Sequence, residues 1–331
     1  MPVSKKKVQQ KRNKKQTNRT LYFILCVVIF VVVFGLLGYA WLSTSNRPGQ
    51  PQNNTSITNN PWSIDSSGKL NFSPRGPIQA DSDVMVENTS NYTLENISYS
   101  SLGSEVYALL RIPKNVTDPP VVIIDPALTM TKEMDEPTAE ALCGMGYATL
   151  TLDQRGYGQT DGGVVSNDYS SGFNAFIQNQ TPVQYAQIYD ILRGLDYVRT
   201  RPDLDGNDTA VMGESVGSVW AIDAAGIEPQ LKGVITISGF DIPFTGSDNS
   251  QENQFFNSIM TSTYLRDLPP RRLAMFQFDN DTIISLNMSE ELYGEALQPK
   301  ALYVYNGSTH GMWNPVLAQN MSIELRNILG R

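Results

Sequence analysis

Thr209-Ala210-Val211-Met212-Gly213-Glu214-Ser215-Val216-Gly217 is the stretch on which the reading of this chain turns. A short apolar run leads into a serine set between two glycines, and the helical stretch Ser215 to Ala225 begins at once. A strand that becomes a helix across G-x-S-x-G is the setting of a nucleophile elbow. There the serine occupies a tight, strained bend and lifts its hydroxyl above a sheet. The flanking glycines let backbones crowd together without Cβ clashes. The helix N-terminus behind the serine puts partial positive charge where an oxyanion would form. G-x-S-x-G alone also occurs as a plain structural turn. Its place between strand and helix makes Ser215 the candidate nucleophile.

Outward from this point the chain alternates between two periods. Upstream, extended stretches lie near Tyr92–Ser100 and Val106–Ile112, followed by the continuous apolar run Val121 to Ile124, as expected of a strand covered on both faces. Glu136 to Gly144 reads as a helix ending at glycine, and Tyr147 to Leu152 as the next buried strand. Val183 to Arg199 places Tyr185, Ile188, Ile191, Leu192, Leu195 and Val198 at helical spacing. Downstream come strands at Val234–Ile237, Leu273–Phe278 and Ala301–Tyr305, with helices around Glu290–Leu297 and Pro315–Leu329. Strands alternating with helices predict βαβ units, hence an α/β fold with a mostly parallel central sheet and helices on both faces.

A serine hydroxyl needs a base to take its proton, and histidine is the usual one because it titrates near neutral pH. The chain has a single histidine, His310, just past the last expected strand in Asn306-Gly307-Ser308-Thr309-His310-Gly311. The third member of a triad is a carboxylate, in the chain order serine, acid, histidine. Asp279-Asn280-Asp281 follows the strand Leu273–Phe278. Asp281 is the favoured acid, with Asp279 second and Asp241, after the strand ending at Ile237, third. An oxyanion hole needs two backbone N–H donors. One is Val216, from the elbow; the other comes from Asp125-Pro126-Ala127-Leu128 after the strand Val121–Ile124. Pro126 has no N–H, so Ala127 is the better donor and Leu128 the alternative. One histidine and two distant cysteines exclude most zinc chemistry. No metal and no organic cofactor is implied.

Leu152-Asp153-Gln154-Arg155-Gly156-Tyr157-Gly158-Gln159-Thr160 is similar to the D-x-R-G-x-G-x-S/T loop of the α/β-hydrolase superfamily. From about Val106 to the C-terminus the chain resembles that superfamily. The resemblance implies an α/β-hydrolase fold, with Arg155 tying loops together near the site. It implies a base in the loop that holds His310. Two positions depart from the pattern. The motif after the third strand, commonly His-Gly, is Asp125-Pro126 here, which bears on the oxyanion geometry. Ser218 stands where many relatives have a second glycine after the elbow. The Asp125-Pro126 form, with Thr129-Met130-Thr131-Lys132-Glu133-Met134 after it, looks most like prokaryotic and archaeal members described as esterases or peptidases.

The N-terminal end is a different physical object. Residues 1–20 carry eight basic residues and no acidic one, and Leu21 to Leu42 then runs 22 residues without a charge. At 1.5 Å per residue that run is long enough to cross a hydrocarbon core of about 30 Å. Residues 21–42 are therefore expected to form a transmembrane helix, with the basic tail cytoplasmic and the remainder extracytoplasmic. A cleaved signal peptide, with Gly38-Tyr39-Ala40 as cleavage site, is the other reading; the run is longer than a signal core. Residues 43–63, rich in Asn, Gln, Pro, Ser and Thr, read as a flexible spacer, and 64–331 as the hydrolase domain.

Removing the eight N-terminal cations leaves 17 of the 25 basic residues against 33 acidic ones, a net charge of about −16. Such a domain is repelled by nucleic acid, so no nucleic-acid partner is expected. Cys26 lies in the apolar run and Cys143 in the domain, so no internal disulfide is expected. Asn88, Asn91, Asn96, Asn115 and Asn207 head Asn-x-Ser/Thr triplets and are glycan acceptors where the machinery exists. Residues 240–268 read as a short insertion rich in apolar side chains, among them Phe244, Phe255, Phe256, Ile259, Met260 and Tyr264. It is either a small lid over an apolar site or a cover for the sheet edge.

Together these features predict a membrane-anchored serine hydrolase that cleaves a small acyl substrate through Ser215, Asp281 and His310. A serine peptidase acting on short peptides and a catalytically silent surface binding protein are the alternatives. Oligomeric state is not legible.

Overall fold

Val121 and Ile123 pack into one apolar core, while Val122 and Ile124 pack into a second. Side chains along a strand point alternately to opposite faces, so a strand apolar at every position demands cover on both. Ala210 and Met212 against Val211, and Ile235 against Val234, divide in the same way. The computed structural model describes residues 60–330. It shows one nine-stranded sheet carrying helices on both faces, with a small two-stranded sheet beside it.

In chain order the strands are β1 (Trp62–Ile64), β2 (Leu70–Phe72), β3 (Ser82–Asn88), β4 (Tyr92–Ser101), β5 (Ser104–Pro113), β6 (Pro120–Asp125), β7 (Ala148–Leu152), β8 (Asp205–Glu214), β9 (Gly233–Ile237), β10 (Arg272–Phe278) and β11 (Lys300–Tyr305). The helices are α1 (Glu136–Gly144), α2 (Tyr169–Ile177), α3 (Val183–Val198), α4 (Val216–Ile227), α5 (Ser250–Asn257), α6 (Thr261–Tyr264), α7 (Leu286–Glu295) and α8 (Ala318–Leu329). In the large sheet the strand order is β11-β10-β9-β8-β6-β7-β5-β4-β3. From β7 to β11 the neighbours pair in parallel; β3, β4 and β5 are joined antiparallel, as is β5 to β7. Helices α3 and α4 cover one face, around Tyr185, Ile188, Leu192, Val219 and Trp220, and α1 and α8 the other, around Leu142, Met321 and Leu325.

The order contains the feature that positions the site. From β6 the chain crosses to β7 on one side, and from β7 it returns past β6 to β8 on the other. The carboxyl ends of β6 and β8 thus open a crevice at a topological switch point, where ligands bind in open α/β sheets. Every strand and helix expected from periodicity is present, most with ends shifted by one to four residues.

The last two residues of the expected spacer, Trp62 and Ser63, belong to the folded domain. β1 begins at Trp62 and pairs with β2. The Trp62 ring lies 5.0 Å from that of Tyr185 and 5.8 Å from that of Phe176, so the first aromatic after the polar run is docked on the domain. The basic tail 1–20, the apolar segment 21–42 and spacer residues 43–59 lie outside the described residues. Among the described residues no helix is long and apolar enough to cross a membrane.

Candidate active site

Ser215 sits at φ 51°, ψ −120°, between the end of β8 and the first residue of α4. A non-glycine residue held there costs about 1–3 kcal/mol and persists only where its surroundings dictate it. Those surroundings are explicit. The Ser215 amide donates to Ile237 O at 2.9 Å, and its carbonyl accepts from Ser218 N at 2.9 Å and from the buried Ser218 hydroxyl. The departure at 218 thus fastens the elbow. A Cβ on Gly217 would fall 2.1 Å from Asp125 O and 2.6 Å from Pro126 O. Glycine at 217 is what lets the loop after β6 close over the elbow.

The loop after β6 brings Ala127, nearly buried, to the wall of the same cavity as Ser215 and Val216, and Leu128 lines it too. Asp125 itself points into the protein. It accepts from Gln187 Nε2 at 2.9 Å and Gln154 Nε2 at 3.3 Å, and Gln154 also holds Pro126 O at 2.7 Å. The unusual Asp-Pro pair therefore anchors this loop from below. Asp153 holds the loop's far end: its carboxylate takes Lys132 N and Nζ, each at 2.8 Å. Arg155 binds Asp190 through Nε and Nη2, both at 2.7 Å, and reaches Ser101 O and Ser104 Oγ at 2.8 Å. It ties the β4–β5 turn to α3.

His310 lines the same cavity. Its Nδ1 lies 2.8 Å from Asp281 Oδ2, which also accepts the Ser238 hydroxyl at 2.8 Å. Oδ1 of Asp281 takes the amides of Ile283 at 2.9 Å and Ile284 at 3.1 Å. Burial pushes this carboxyl up, but the His310 contact, the two amides and the Ser238 hydroxyl outweigh it and hold it below the ordinary 3.8. Ser215 and His310 line one cavity of about 750 Å³. The backbone at 311 closes on the elbow: a Cβ on Gly311 would lie 2.8 Å from that of Ser215 and 3.4 Å from that of Ala127.

The other two acids expected as candidates do other things. Asp279 is exposed and accepts Gly307 N at 3.0 Å and Asn280 Nδ2 at 2.7 Å, pinning the turn past β11. Asp241 accepts Thr261 N at 2.8 Å and Ser262 N at 3.3 Å, capping α6. Of the 240–268 stretch, only Phe240 and Pro243 reach the cavity. Phe255, Ile259 and Tyr264 are buried in the core, with Phe255 against Phe173 and Phe176 of α2 and Tyr185 of α3 and Tyr264 against Gly226 of α4, so most of the insertion packs over these helices.

Ser238 was not singled out from the sequence. It follows β9, takes φ 56°, and joins Asp281 to Gly311, whose amide it accepts at 3.0 Å. The one available signal was a hydroxyl residue directly past a buried strand, at the sheet end that also carries Ser215 and Asp281. Among the described residues, no group of three or more His, Cys, Asp or Glu side chains could hold a metal ion.

A doubly covered parallel sheet, a strained serine at its switch point and a histidine paired with a buried aspartate define an α/β-hydrolase of the serine-hydrolase class. The sequence profile of the acetyl xylan esterase (AXE1) family matches residues 74–267, more than half of the chain, and the chain belongs to that family. Among solved structures it is similar to the acetyl xylan esterase of Paenibacillus sp. R4, at 19% identity and TM-score 0.60 over 77% of this chain and 90% of that one. Acetyl xylan esterase 1 of Thermoanaerobacterium sp. JW/SL YS485 gives 17% identity and TM-score 0.57 over 76% and 89%. Likeness at this identity is a likeness of fold. Among curated sequences an Escherichia coli protein, described as an uncharacterized 31.7 kDa protein in the traX-finO intergenic region, is 23% identical over 168 residues. The chain spans about half the length of that relative. The profile match ends before Asp281 and His310, so what is known of those two comes from their geometry.

Proposed function

We propose that this protein is a membrane-tethered serine esterase that cleaves carboxylic esters through an acyl-enzyme on Ser215. The observation that carries the reading is the 2.8 Å contact of His310 Nδ1 with Asp281 Oδ2 on the wall of the cavity that also holds Ser215. Asp281 keeps a proton on Nδ1, so Nε2 is the acceptor. Nε2 takes the Ser215 proton as Oγ bonds to the ester carbonyl carbon. The N–H groups of Val216 and Ala127 receive the oxyanion. Collapse breaks the carbon–oxygen bond to the alcohol, which leaves with the proton from Nε2. Water, deprotonated by His310, then attacks the acyl-enzyme, and the acid departs as Ser215 regains its proton. The family's name and its esterase structures support an ester rather than a peptide as the scissile bond.

The eight cations ahead of an uncharged 22-residue segment support a cytoplasmic N-terminus and an extracytoplasmic domain. The test is fluorophosphonate labelling of the full-length chain in nanodiscs beside its Ser215→Ala variant. The wild type labels and hydrolyses p-nitrophenyl acetate; the variant does neither while keeping the wild-type melting transition. Equal labelling of the two removes Ser215 from the mechanism. Protease treatment of intact cells releases the domain through the 43–59 segment; protection of the domain would contradict the topology.

A further inference from the structure

The cavity over Ser215 is larger and more apolar than an acetyl ester requires. Its volume of about 750 Å³ lies in the range of pockets that enclose drug-sized ligands. An acetyl group offers it only one methyl beyond the carbonyl. Leu128, Met130, Phe240 and Ile284 line it. At its opening Met134, Ile283 and Met312 stand 58%, 66% and 46% exposed. Single exposed apolar side chains are ordinary, but several at one mouth form a patch, and such patches mark binding sites. A carbohydrate hydroxyl array needs a wall of hydrogen-bonding groups, and apart from Ser215 and His310 this one offers only Thr129, Asn167 and Tyr169 as polar side chains.

We infer that the site is built for esters whose acyl group is a medium-length alkyl chain or an aromatic ring, an inference that rests on the esterase reading above. The chemistry orients the substrate. His310 hands its proton to the leaving oxygen, so the alcohol lies on the side of His310, Ile283 and Met312. The acyl group takes the opposite wall, beginning with Leu128 and Met130 directly after Ala127 and continuing to Tyr169 and Phe240. The acyl wall is withdrawn from solvent: Phe240 is buried, and Leu128, Met130 and Tyr169 are half-buried.

The test uses the full-length chain in nanodiscs, with Ser215→Ala as blank, and compares kcat/KM for p-nitrophenyl acetate, butyrate, hexanoate and benzoate with that for an acetylated xylo-oligosaccharide. Each buried methylene is worth about a fourfold gain, so hexanoate, with four more of them, exceeds acetate by roughly 250-fold, and benzoate exceeds acetate as well. Met130→Glu, or the milder Leu128→Thr if the first does not fold, lowers the hexanoate-to-acetate ratio; for Met130→Glu the drop is at least tenfold. A profile flat or falling beyond acetate, a ratio unmoved in both folded variants, or an acetylated oligosaccharide that exceeds hexanoate overturns the inference and leaves the esterase reading standing. No turnover of any ester, together with no fluorophosphonate labelling, overturns both.

Discussion

Asp281, behind His310, and Glu214, beside Ser215, both keep a carboxyl group out of water, and their surroundings drive them in opposite directions. Glu214 precedes Ser215 in the elbow and is fully buried. Burial, and then the charge of Asp135 beside it, push its carboxyl well above the ordinary 4.5. Asp135, buried with it, is raised by the same desolvation. Between them stands one donor, the Thr138 hydroxyl, at 2.6 Å from Asp135 Oδ1 and 2.8 Å from Glu214 Oε1. Asp281 is also withdrawn from solvent, but His310, Ser238 and two backbone amides converge on it. Deep burial with one shared donor raises the Glu214 carboxyl, whereas four converging donors outweigh the desolvation of Asp281. One becomes a fixed anion behind His310. The other two, raised by burial, brace the elbow against the loop leading into α1 through the Thr138 hydroxyl.

The largest effect that can break this comparison is expected at Asp281. Asp281→Asn keeps the shape but removes the anion that fixes the His310 tautomer, so kcat falls by roughly 10⁴-fold. Asp279→Asn, exposed on the turn outside the cavity, leaves kcat near wild type. A greater loss in Asp279→Asn than in Asp281→Asn would give the acid role to the wrong residue and end the argument. Stability follows the same group. Its lowered folded value means that its contribution is present above the ordinary 3.8 and is lost as pH falls through the folded value. Between the ordinary 3.8 and the folded value, the stability of Asp281→Asn therefore falls less steeply with falling pH than that of the wild type.

A smaller effect is expected at Ser238. Ser238→Ala removes a donor from Asp281 and leaves the buried Gly311 amide without its acceptor, a loss of about 1–3 kcal/mol. The His310 loop loses its tether to the elbow side, so kcat falls about tenfold with KM unchanged. Titration with a fluorophosphonate separates this from misfolding. A full count of reactive sites with reduced kcat marks positioning; a reduced count at normal kcat marks plain structural damage.

The elbow was legible because everything it needs is local: an apolar strand, two glycines and a helix start within about a dozen residues. The parallel strands were legible because continuous apolar runs have no other stable home in such a chain. The choice between Asp281 and Asp279 was not decided by pattern, since both lie in one loop and only the meeting with a histidine 29 positions away separates them. Ser238 acts through neighbours on two other loops, and no local spacing announces that. The outer strand β3 is exposed at every position and carries Val84, Met85 and Val86 in succession, so it lacks the alternation by which a strand is read. In the 240–268 insertion apolar content foretold burial, and it could not say against which helix.

The smallest effect sharpens the other half of the comparison. Glu214→Gln gives the brace an amide that donates to Asp135 whether or not a proton is shared. In the wild type both folded values are raised, so the pair's contribution is fully present below the ordinary 3.8 and 4.5 and is lost as pH rises through the folded values. Between pH 5 and pH 8 the wild-type melting temperature therefore falls further than that of Glu214→Gln. A change of about 1 kcal/mol moves the midpoint of a domain this size by roughly 2 °C. Ser215 labelling persists in the variant, because Glu214 faces Thr138 and Asp135, away from the cavity. Identical slopes in the two proteins would mean that the pair holds its charge in the fold, and that burial does not raise these carboxyls.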